Sequence, residues 1–452
     1  MEVIITVKPD ADLPMLSRLM INTGDGINHS VSMKFGFDDL WSFSRDLSST
    51  TFDFLLLAHI VYCVDRAISR NMFSTDGWHR NLRVEGIPVQ NLKAMDSSKA
   101  FLCKAINFLT GDSWNFEFIQ GNEINWKISK AKEFDKSLYE YVSLFSGGLD
   151  SLIGFVDHAS ELPEYKKILL ISHKELGKEG GDQKRIVEEC ERKGFFVNKY
   201  SRLLLNAGLK NYTWENNLPN EGTFRARSLL FFAAGIYVAH SISPDIKLIV
   251  PENGTISLNI PLEKGRRGAC STRTTHPTFI RRIQTALESL GIQNLIINPY
   301  QLSSKADMMI DCCKDSQKEE ILKHLSHLSC SCAKRSHNRW WDKRGGQVRH
   351  CGYCLPCIYR RVALDCVGLD SFDYIGTDIY RSAHFRIDDT SQQRSSDIRS
   401  LRYFLTRNLN REYIRRELLN NGVRDVNEIE NYIELTFRSY EQVLNWLDKL
   451  PK

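Results

Sequence analysis

The sequence predicts an α/β protein whose central parallel sheet is covered by helices on both faces. Between residues 138 and 300, short apolar runs that suit buried strands alternate with segments that suit helices. One of these runs, 138–145, ends in a glycine turn at 146–148 and is followed by a helix-compatible stretch. The composition agrees with a globular fold, since 42% of the 452 residues are hydrophobic and 25% are charged.

The elements of this region follow one another in the order expected of repeated strand–helix units. The strand candidates are residues 138–145, 167–172, 195–200 and 246–250. The helix candidates are residues 152–156, 183–193 and 224–240, and Gly194 ends the second of them after two basic residues.

Four regions are predicted along the chain. Residues 1–137 form an N-terminal α/β extension, with strands at 3–7 and 114–119 and a buried helix at 52–68. Residues 138–311 form the parallel-sheet domain, and residues 312–385 form a cysteine-rich segment packed on it. Residues 386–452 form a helical tail, with helices at 398–409, 411–420 and 426–447.

The charge and the apolar stretches indicate the compartment. The formal net charge is only +5, from 60 Lys and Arg against 55 Asp and Glu, which does not by itself predict nucleic-acid binding. The two longest apolar stretches, 54–64 and 229–239, have 11 residues each, whereas a membrane-spanning helix needs about 20. Because no export signal is recognisable either, we expect a cytoplasmic protein with no membrane partner and with reduced thiols.

The first motif is the hexapeptide Ser146-Gly147-Gly148-Leu149-Asp150-Ser151, between a predicted strand and a predicted helix. Two glycines let the backbone approach a phosphate closely, and the helix N-terminus adds partial positive charge. Ser146 and Ser151 can donate hydrogen bonds, and Asp150 can hold Mg²⁺ or orient the loop. The simpler interpretation is a glycine turn whose helix is capped by Asp150. The loop is not of the Walker A type, because no Gly-Lys-Ser/Thr follows.

The second motif is a cluster of cysteines. Eight of the 12 cysteines lie between residues 312 and 366, and Cys351, Cys354 and Cys357 have the spacing of metal ligands. With Cys332 as the fourth ligand, or Cys330 as the alternative, they would form a closed four-thiolate zinc site. An iron–sulfur cluster uses the same ligands and stays open as an alternative.

With both motifs in this order, the sequence resembles the QueC family of 7-cyano-7-deazaguanine synthases over residues 138–380. The hexapeptide is similar to the PP-loop of N-type ATP pyrophosphatases, and the Cys351–Cys357 spacing is similar to the family's zinc site. The resemblance implies a PP-loop core of the Rossmann-like, adenine nucleotide α-hydrolase-like type. Residues 251–254, 257–262, 271–277 and 357–361 are more similar to the QueC-like proteins of antiphage operons, which include QatC and relatives in CBASS operons.

This resemblance implies an activity, which is the ATP-dependent adenylation of 7-carboxy-7-deazaguanine or a similar carboxylate. Release of pyrophosphate would be followed by formation of an amide or a nitrile. In a defence system, the amine could be the N-terminus of a partner protein encoded in the same operon. The expected ligands are therefore ATP, Mg²⁺ and Zn²⁺, and the expected partners are a deazaguanine-type substrate and a protein.

The resemblance and the order of the elements also imply site residues. Asp150, Arg225 and Arg227 would be catalytic, the two arginines by stabilising pyrophosphate or the developing charge. The groups that would contact adenosine are Ser172 and His173, and those that would bind the substrate are Glu252, Asn253, Arg273 and His276. The alternatives are a surface charge for Arg225, a plain turn at 252–254 and a loop residue for His276.

Two other functions stay open from the sequence alone. A tRNA-modifying PP-loop enzyme would explain the N-terminal extension and the basic character of the cysteine region. A non-enzymatic zinc module could bind nucleic acid through residues 330–361. This segment contains eight Lys or Arg and a single Asp, which gives it a net charge of +7. Trp340 and Trp341 in this segment could stack on bases.

Overall fold

The computed structural model describes most of the chain. The described residues are 2–9, 16–24, 28–74, 76–121, 134–174, 177–210, 220–262, 273–333, 350–371, 379–381, 385–407 and 409–450. Among them, no helix combines the length and the apolar character needed to cross a bilayer.

Eleven strands and fifteen α-helices are formed by the described residues. The strands are β1 Glu2–Pro9, β2 Leu16–Asn22, β3 Asn28–Lys34, β4 Asn81–Val89, β5 Ser113–Gln120, β6 Tyr139–Leu144, β7 Lys167–His173, β8 Tyr200–Leu205, β9 Gly208–Leu209, β10 Lys247–Ile249 and β11 Ile296–Ile297. The first helices are α1 Asp38–Phe43, α2 Thr50–Ala67, α3 Arg70–Phe73, α4 Leu92–Thr110, α5 Leu149–Glu161, α6 Gly177–Lys193, α7 Arg227–Ile242 and α8 Gly254–Leu258. The others are α9 Pro277–Ser289, α10 Lys305–Cys312, α11 Ser316–Leu325, α12 Leu355–Asp365, α13 Ser396–Leu405, α14 Arg411–Asn420 and α15 Ile429–Leu447.

The second sheet is parallel throughout, in the order β11-β10-β6-β7-β8. Its register places Val142 of β6 between Leu169 and Leu248, and all three side chains are buried. In chain order this arrangement is 3-2-1-4-5, the doubly wound order in which the connections diverge on either side of β6. The predicted α/β class with a parallel sheet is therefore confirmed, and the carboxyl ends of β6 and β10 flank the switch point.

The N-terminal sheet is mixed, in the order β5-β4-β1-β2-β3-β9. Strand β1 pairs in parallel with β4 and antiparallel with β2, so Ile5 lies between Val84 and Ile21. The short strand β9, which follows β8 of the other sheet, pairs with β3. The chain thus passes from one sheet into the other, and the two sheets share one hydrophobic core in which α2 packs on α7.

One predicted strand is wrong. Residues 195–200 were expected to be extended, but the strand begins only at Tyr200 and the preceding residues form turns. The reason is backbone conformation, because Gly194, Phe196 and Asn198 have φ of 71°, 55° and 60° in the left-handed region. The other predicted strands and helices of this sheet lie within or overlap the observed ones.

The C-terminal helices complete a second hydrophobic core rather than standing apart from the sheet. Buried apolar side chains of α13, α14 and α15 join those of α5, α10 and α12 in this core. Helix α15 contacts α8, α10 and α12. The cysteine-rich segment and the tail therefore pack on the side of the parallel sheet that carries α5.

Candidate functional site

The glycine loop between β6 and α5 is tightly folded. Gly147 has a φ of 82°, and a Cβ there would lie only 3.0 Å from the Cγ of Gln183. The Oγ of Ser146 accepts a hydrogen bond from the N–H of Gly148 at 3.3 Å and lies 3.1 Å from the Oγ of Ser151. Because α5 starts at Leu149, the loop delivers the helix N-terminus to the carboxyl edge of the sheet.

A cavity of about 700 Å³ opens beside this loop. The volume is in the usual range for a small-molecule site, roughly 300–1,000 Å³. The polar residues that line the cavity, next to Gly148 of the loop, include Ser146, Asp150, Ser151, Asp182, Arg225, Arg227, Glu252, Arg273, Lys305 and Ser331. The apolar ones include Leu109, Leu144, Leu149, Phe224, Phe231, Phe232 and Pro356. The cavity therefore lies at the switch point of the parallel sheet, where ligands bind in folds of this order.

Asp150 does not cap its own helix. It is buried, and its Oδ1 accepts a hydrogen bond from the Nζ of Lys305, while its Oδ2 accepts one from the Nδ2 of Asn253 at 2.7 Å. The Oδ1 of Asn253 in turn caps α8 through the N–H of Ile256 at 3.0 Å. The interpretation of Asp150 as a plain helix cap is therefore wrong, because the N-cap residue of α5 is Gly148 and the Asp150 carboxylate is bonded to Lys305 and Asn253.

Glu252 makes this arrangement chemically unusual. Burial, together with the neighbouring charge of Asp150, raises the pKa of Glu252 well above its ordinary value. Burial also acts to raise the pKa of Asp150, but Lys305, together with hydrogen bonds from Glu252 and Asn253, outweighs it and holds that pKa below its ordinary value. Two carboxyl groups therefore share one lysine, and their surroundings favour the protonated form of Glu252 over that of Asp150.

Ser172 and His173 lie behind the cavity wall rather than on it. Both are fully buried, and the Oγ of Ser172 donates to the carbonyl of Phe145 at 3.0 Å. The Nε2 of His173 lies 2.9 Å from the carbonyl of Ala207, and its Nδ1 accepts from the Nε of Arg227 at 3.1 Å. Burial and the charge of Arg227 lower the pKa of His173 to about 3, so the ring is neutral and supports that arginine.

Three arginines line the cavity away from the loop. The Nη1 of Arg225 donates to the carbonyl of Thr110 at 2.9 Å, and the Nη1 of Arg273 donates to that of Phe108 at 3.0 Å. The guanidinium of Arg273 also lies 4.4 Å from the ring centroid of Phe108. With Arg227, these side chains form a positively charged wall, which we call the arginine wall. Such a wall suits an anionic ligand.

His276 has a different place from the one expected. It is buried, it does not line the cavity, and its Nδ1 accepts the N–H of Thr278 at 3.1 Å as the cap of α9. Burial and the charges of surrounding arginines lower its pKa to about 3. Its local role is therefore that of a helix cap.

Four cysteines come together at the start of α12. The Sγ atoms of Cys332, Cys351, Cys354 and Cys357 all lie within 4.8 Å of one another. Cys351 and Cys357 are 3.7 Å apart, close to the ~3.8 Å that tetrahedral Zn–S bonds of about 2.3 Å require. This donor set fits a structural zinc ion, and the fourth sulfur is that of Cys332 rather than Cys330.

The cysteine segment also contacts the glycine loop. The N–H of Cys330 donates to the carbonyl of Gly147 at 2.8 Å, and the Oγ of Ser331 accepts from the N–H of Leu149 at 3.2 Å. A metal bound at Cys332 would therefore hold the segment that braces the loop.

Lys305 and Ser331 were not among the residues expected at the site. Lys305 is the first residue of α10, directly after the capping residue Ser304, so its local sequence indicates only a helix start. Ser331 lies between two cysteines, and nothing in its spacing points to the loop. Trp340 and Trp341, on which the nucleic-acid hypothesis depends, lie outside the described residues.

Comparisons with family models, curated proteins and solved structures give no match to this chain.

Proposed function

We propose that the protein is an ATP-dependent ligase that adenylates a carboxylate, releases pyrophosphate and then forms a carbon–nitrogen bond. The observation that carries this proposal is the glycine loop at the switch point of the parallel sheet, beside a cavity lined by Asp150, Glu252 and Lys305. The substrate class, a 7-carboxy-7-deazaguanine-like carboxylate, follows from the resemblance of the loop and the cysteine spacing to the QueC family.

The first step solves a chemical difficulty, because a carboxylate has no good leaving group. A carboxylate oxygen attacks the α-phosphorus of ATP, and the bond from that phosphorus to the bridging oxygen breaks. Pyrophosphate leaves with the electron pair, and the substrate becomes a mixed anhydride with AMP. In the second step an amine attacks the acyl carbon, the bond to AMP breaks, and the amine loses a proton as the amide forms.

The residues of the cavity suit the first step. The N–H groups of the glycine loop and the N-terminus of α5 can bind phosphate oxygens, and the arginine wall can neutralise charge that develops as pyrophosphate leaves. Lys305 supplies a fixed positive charge at the same edge of the sheet, next to Asp150. Mg²⁺ would supply further positive charge to the phosphates, and Asp150 is the carboxylate that would contact it.

The amine of the second step distinguishes two outcomes. With ammonia, an amide forms, and a second ATP-driven dehydration would make the nitrile. With the N-terminal amine of a protein encoded in the same operon, deazaguanine would be attached to that protein. The similarity of residues 251–254 and 271–277 to QueC-like proteins of antiphage operons favours the second outcome and a role in antiviral defence.

The activation step is tested by product analysis. The full chain is incubated with ATP, Mg²⁺ and 7-carboxy-7-deazaguanine, with 7-deazaguanine, which lacks the carboxylate, as the matched control. We expect AMP and pyrophosphate only with the carboxylate. Production of ADP and phosphate, or equal AMP from both compounds, would refute the proposal.

The conjugation step is tested by intact mass. A candidate partner from the same operon is co-expressed with the chain, and its mass is measured with and without the enzyme. We expect an added mass equal to carboxydeazaguanine minus one water. An unchanged partner mass in the presence of ATP and carboxydeazaguanine would exclude the protein conjugate while leaving activation to the product test.

A further inference from the structure

The segment that carries two arginines of the cavity is held by the N-terminal region. We call residues 221–227 the arginine turn, since Arg225 and Arg227 lie in it. The buried N–H of Ala226, between these two arginines, donates to the Oδ2 of Asp65 at 3.0 Å. Asp65 lies near the C-terminal end of α2, about 160 residues away in sequence. The backbone of the turn is therefore tied to a helix of the other sheet's layer.

The start of the turn is tied to the same region. The carboxylate of Glu221 accepts from the N–H of Arg70 at 2.8 Å and from the N–H of Thr223 at 3.0 Å. The side chain of Arg66 donates to the carbonyl of Glu221, and its guanidinium lies 4.0 Å from the ring centroid of Phe224. These contacts fix the direction in which the turn leads into α7.

Asp65 is itself immobilised. Its Oδ1 accepts from Arg70 at 3.0 Å and from Arg80 at 2.5 Å, and both arginines also contact the Oδ2 of Asp112, at 2.5 and 2.6 Å. All four side chains are buried, and their formal charges cancel. Because Oδ1 is occupied by the arginines, Oδ2 is directed at the N–H of Ala226. Both carboxylates of this network accept from both arginines, which restrains the four side chains to one geometry.

The end of α4 forms the second support. Its last carbonyl, that of Thr110, accepts from Arg225, and the carbonyl of Phe108 accepts from Arg273. Leu109, between them, lines the cavity. Carbonyls in the last turn of a helix lack intrahelical partners and carry partial negative charge, so they suit guanidinium groups.

We propose that Asp65 is a positioning residue for the site: it holds the arginine turn so that Arg225 and Arg227 face the cavity. The N-terminal region is then a structural part of the ligand site rather than an appended module. The proposal rests on the proposed function only for the ligand, an anionic phosphate or carboxylate. The placement of the turn is independent of it.

The first experiment measures the turn without any ligand. Amide hydrogen exchange is recorded on the full chain for Asp65→Asn and for the matched control Asp53→Asn. Asp53 is a buried carboxylate on the same helix that also accepts two backbone N–H groups, those of Gln90 and Asn91 at 2.8 and 2.9 Å. We expect exchange in residues 221–229 to rise about tenfold in Asp65→Asn alone, because one anchoring hydrogen bond is weakened. Equal changes in both variants, or none, would overturn the positioning role.

The second experiment asks whether Asp65 acts through the arginines. Binding of inorganic pyrophosphate with Mg²⁺ is measured in Asp65→Asn, in Arg225→Gln/Arg227→Gln and in the triple variant. We expect Asp65→Asn to weaken binding about tenfold in the parent chain but less than twofold in the double-arginine background. The same loss in both backgrounds would show a general structural effect and contradict the proposal.

A third variant protects the test against misfolding. Should Asp65→Asn fail to fold, Glu221→Gln decides. It weakens the hold on the N–H groups of Arg70 and Thr223 and the 3.6 Å ion pair with Arg70, while the contacts of Asp65 and Asp112 with Arg70 and Arg80 stay in place. Its expected result is the same rise in exchange and the same dependence on the arginines, and unchanged exchange would overturn the proposal. Absence of pyrophosphate binding by the parent chain would instead count against the proposed function.

Discussion

Two buried clusters of charged side chains differ in how their charges balance. In the first, Asp65 and Asp112 face Arg70 and Arg80, and the cluster is sealed in the core between α2 and β4. In the second, Asp150 and Glu252 lie beside Lys305, and all three line the cavity. One cluster is neutral and closed, whereas the other has a carboxyl group in excess and is open to a ligand.

The pKa shifts follow this difference. Burial acts to raise the pKa of Asp65, but Arg80 and Arg70 outweigh it, and the pKa falls below its ordinary value. The pKa of Glu252 is raised instead, because burial and Asp150 both act against its charge. A carboxyl group in a cavity whose pKa is strongly raised is typical of a functional site. A buried cluster whose charges are balanced by ion pairs is typical of a structural role. Each of the following changes tests this contrast.

The largest effect is expected at Asp150. Asp150→Asn removes the charge that pairs with Lys305 beside the glycine loop, and we expect ATP cleavage to fall about 10²–10³-fold. The matched control is Asp157→Asn, on the same helix. The Oδ1 of Asp157 lies 2.5 Å from the Nζ of Lys318, and neither residue lines the cavity. AMP formation is the measurement. Equal activities of the two variants would contradict the role of the open cluster.

The next change compares stability at the two clusters. Asp112→Asn leaves two buried arginines with one carboxylate, so we expect the free energy of unfolding to fall by about 3–5 kcal/mol. Glu252→Gln removes a carboxyl group whose ionisation burial and Asp150 oppose, so it should change the free energy of unfolding by less than about 0.5 kcal/mol below pH 4.5 and should raise it near neutral pH. The free energies of unfolding are measured by urea denaturation of both variants. A larger loss of stability in Glu252→Gln than in Asp112→Asn would contradict the contrast between the two clusters.

The pH dependence of Glu252 has a definite sign. Because its pKa is raised in the folded state by burial and Asp150, the carboxyl favours folding most below its unfolded pKa, and this contribution is lost as pH rises towards the folded pKa. The parent chain should therefore lose stability relative to Glu252→Gln as pH increases above about 4.5. The neighbouring charges that set the window are Asp150 and Lys305. A difference that is constant with pH would show that the pKa of Glu252 is not raised.

A smaller effect is expected from the cysteine cluster. We expect one zinc equivalent per chain by elemental analysis, lost in Cys332→Ser and kept in Cys330→Ser. Loss of the metal should weaken binding of an ATP analogue about tenfold, because the segment at 330–331 no longer braces the loop. Metal loss in Cys330→Ser with retention in Cys332→Ser would contradict the ligand set.

The smallest effect is expected at Ser331. Ser331→Ala removes the acceptor for the N–H of Leu149 and should weaken binding of the ATP analogue about fivefold, which corresponds to roughly 1 kcal/mol. Ser160→Ala, which removes a hydroxyl bonded to the carbonyl of Val156 within α5, is the control. Binding of the ATP analogue to both variants is measured by calorimetric titration. Equal affinities of Ser331→Ala and Ser160→Ala would contradict a role of Ser331 at the loop.

The sequence predicts local features of this site and not its long-range contacts. The glycine loop and the spacing from Cys351 to Cys357 are short patterns, so their physical meaning is readable from neighbouring residues. Lys305 is 155 positions from Asp150, and only the tertiary fold brings the two together. Asp65 and the N–H of Ala226 are 161 positions apart, so their contact is likewise not predictable from neighbouring residues.

The errors at the level of secondary structure have a similar origin. The apolar run at 195–200 has the composition of a strand, but left-handed residues at Phe196 and Asn198 turn it, and the strand follows later. The sequence does not predict strands β2 and β3, because polar residues interrupt their apolar pattern. Their stabilising partners are other strands, with β2 paired to β1 and β3 paired to β2 and β9. Helices α2 and α7 were recognised because long apolar runs are unambiguous.

The most direct test of the central claim is to locate nucleotide binding along the chain. Hydrogen exchange is measured with and without α,β-methylene-ATP and Mg²⁺, a probe that cannot be cleaved between the α and β phosphates. We expect protection concentrated in residues 145–152 and 329–333, the glycine loop and the segment that braces it. Protection absent from both stretches, or confined to other parts of the chain, would contradict the assignment of the open cluster as the site.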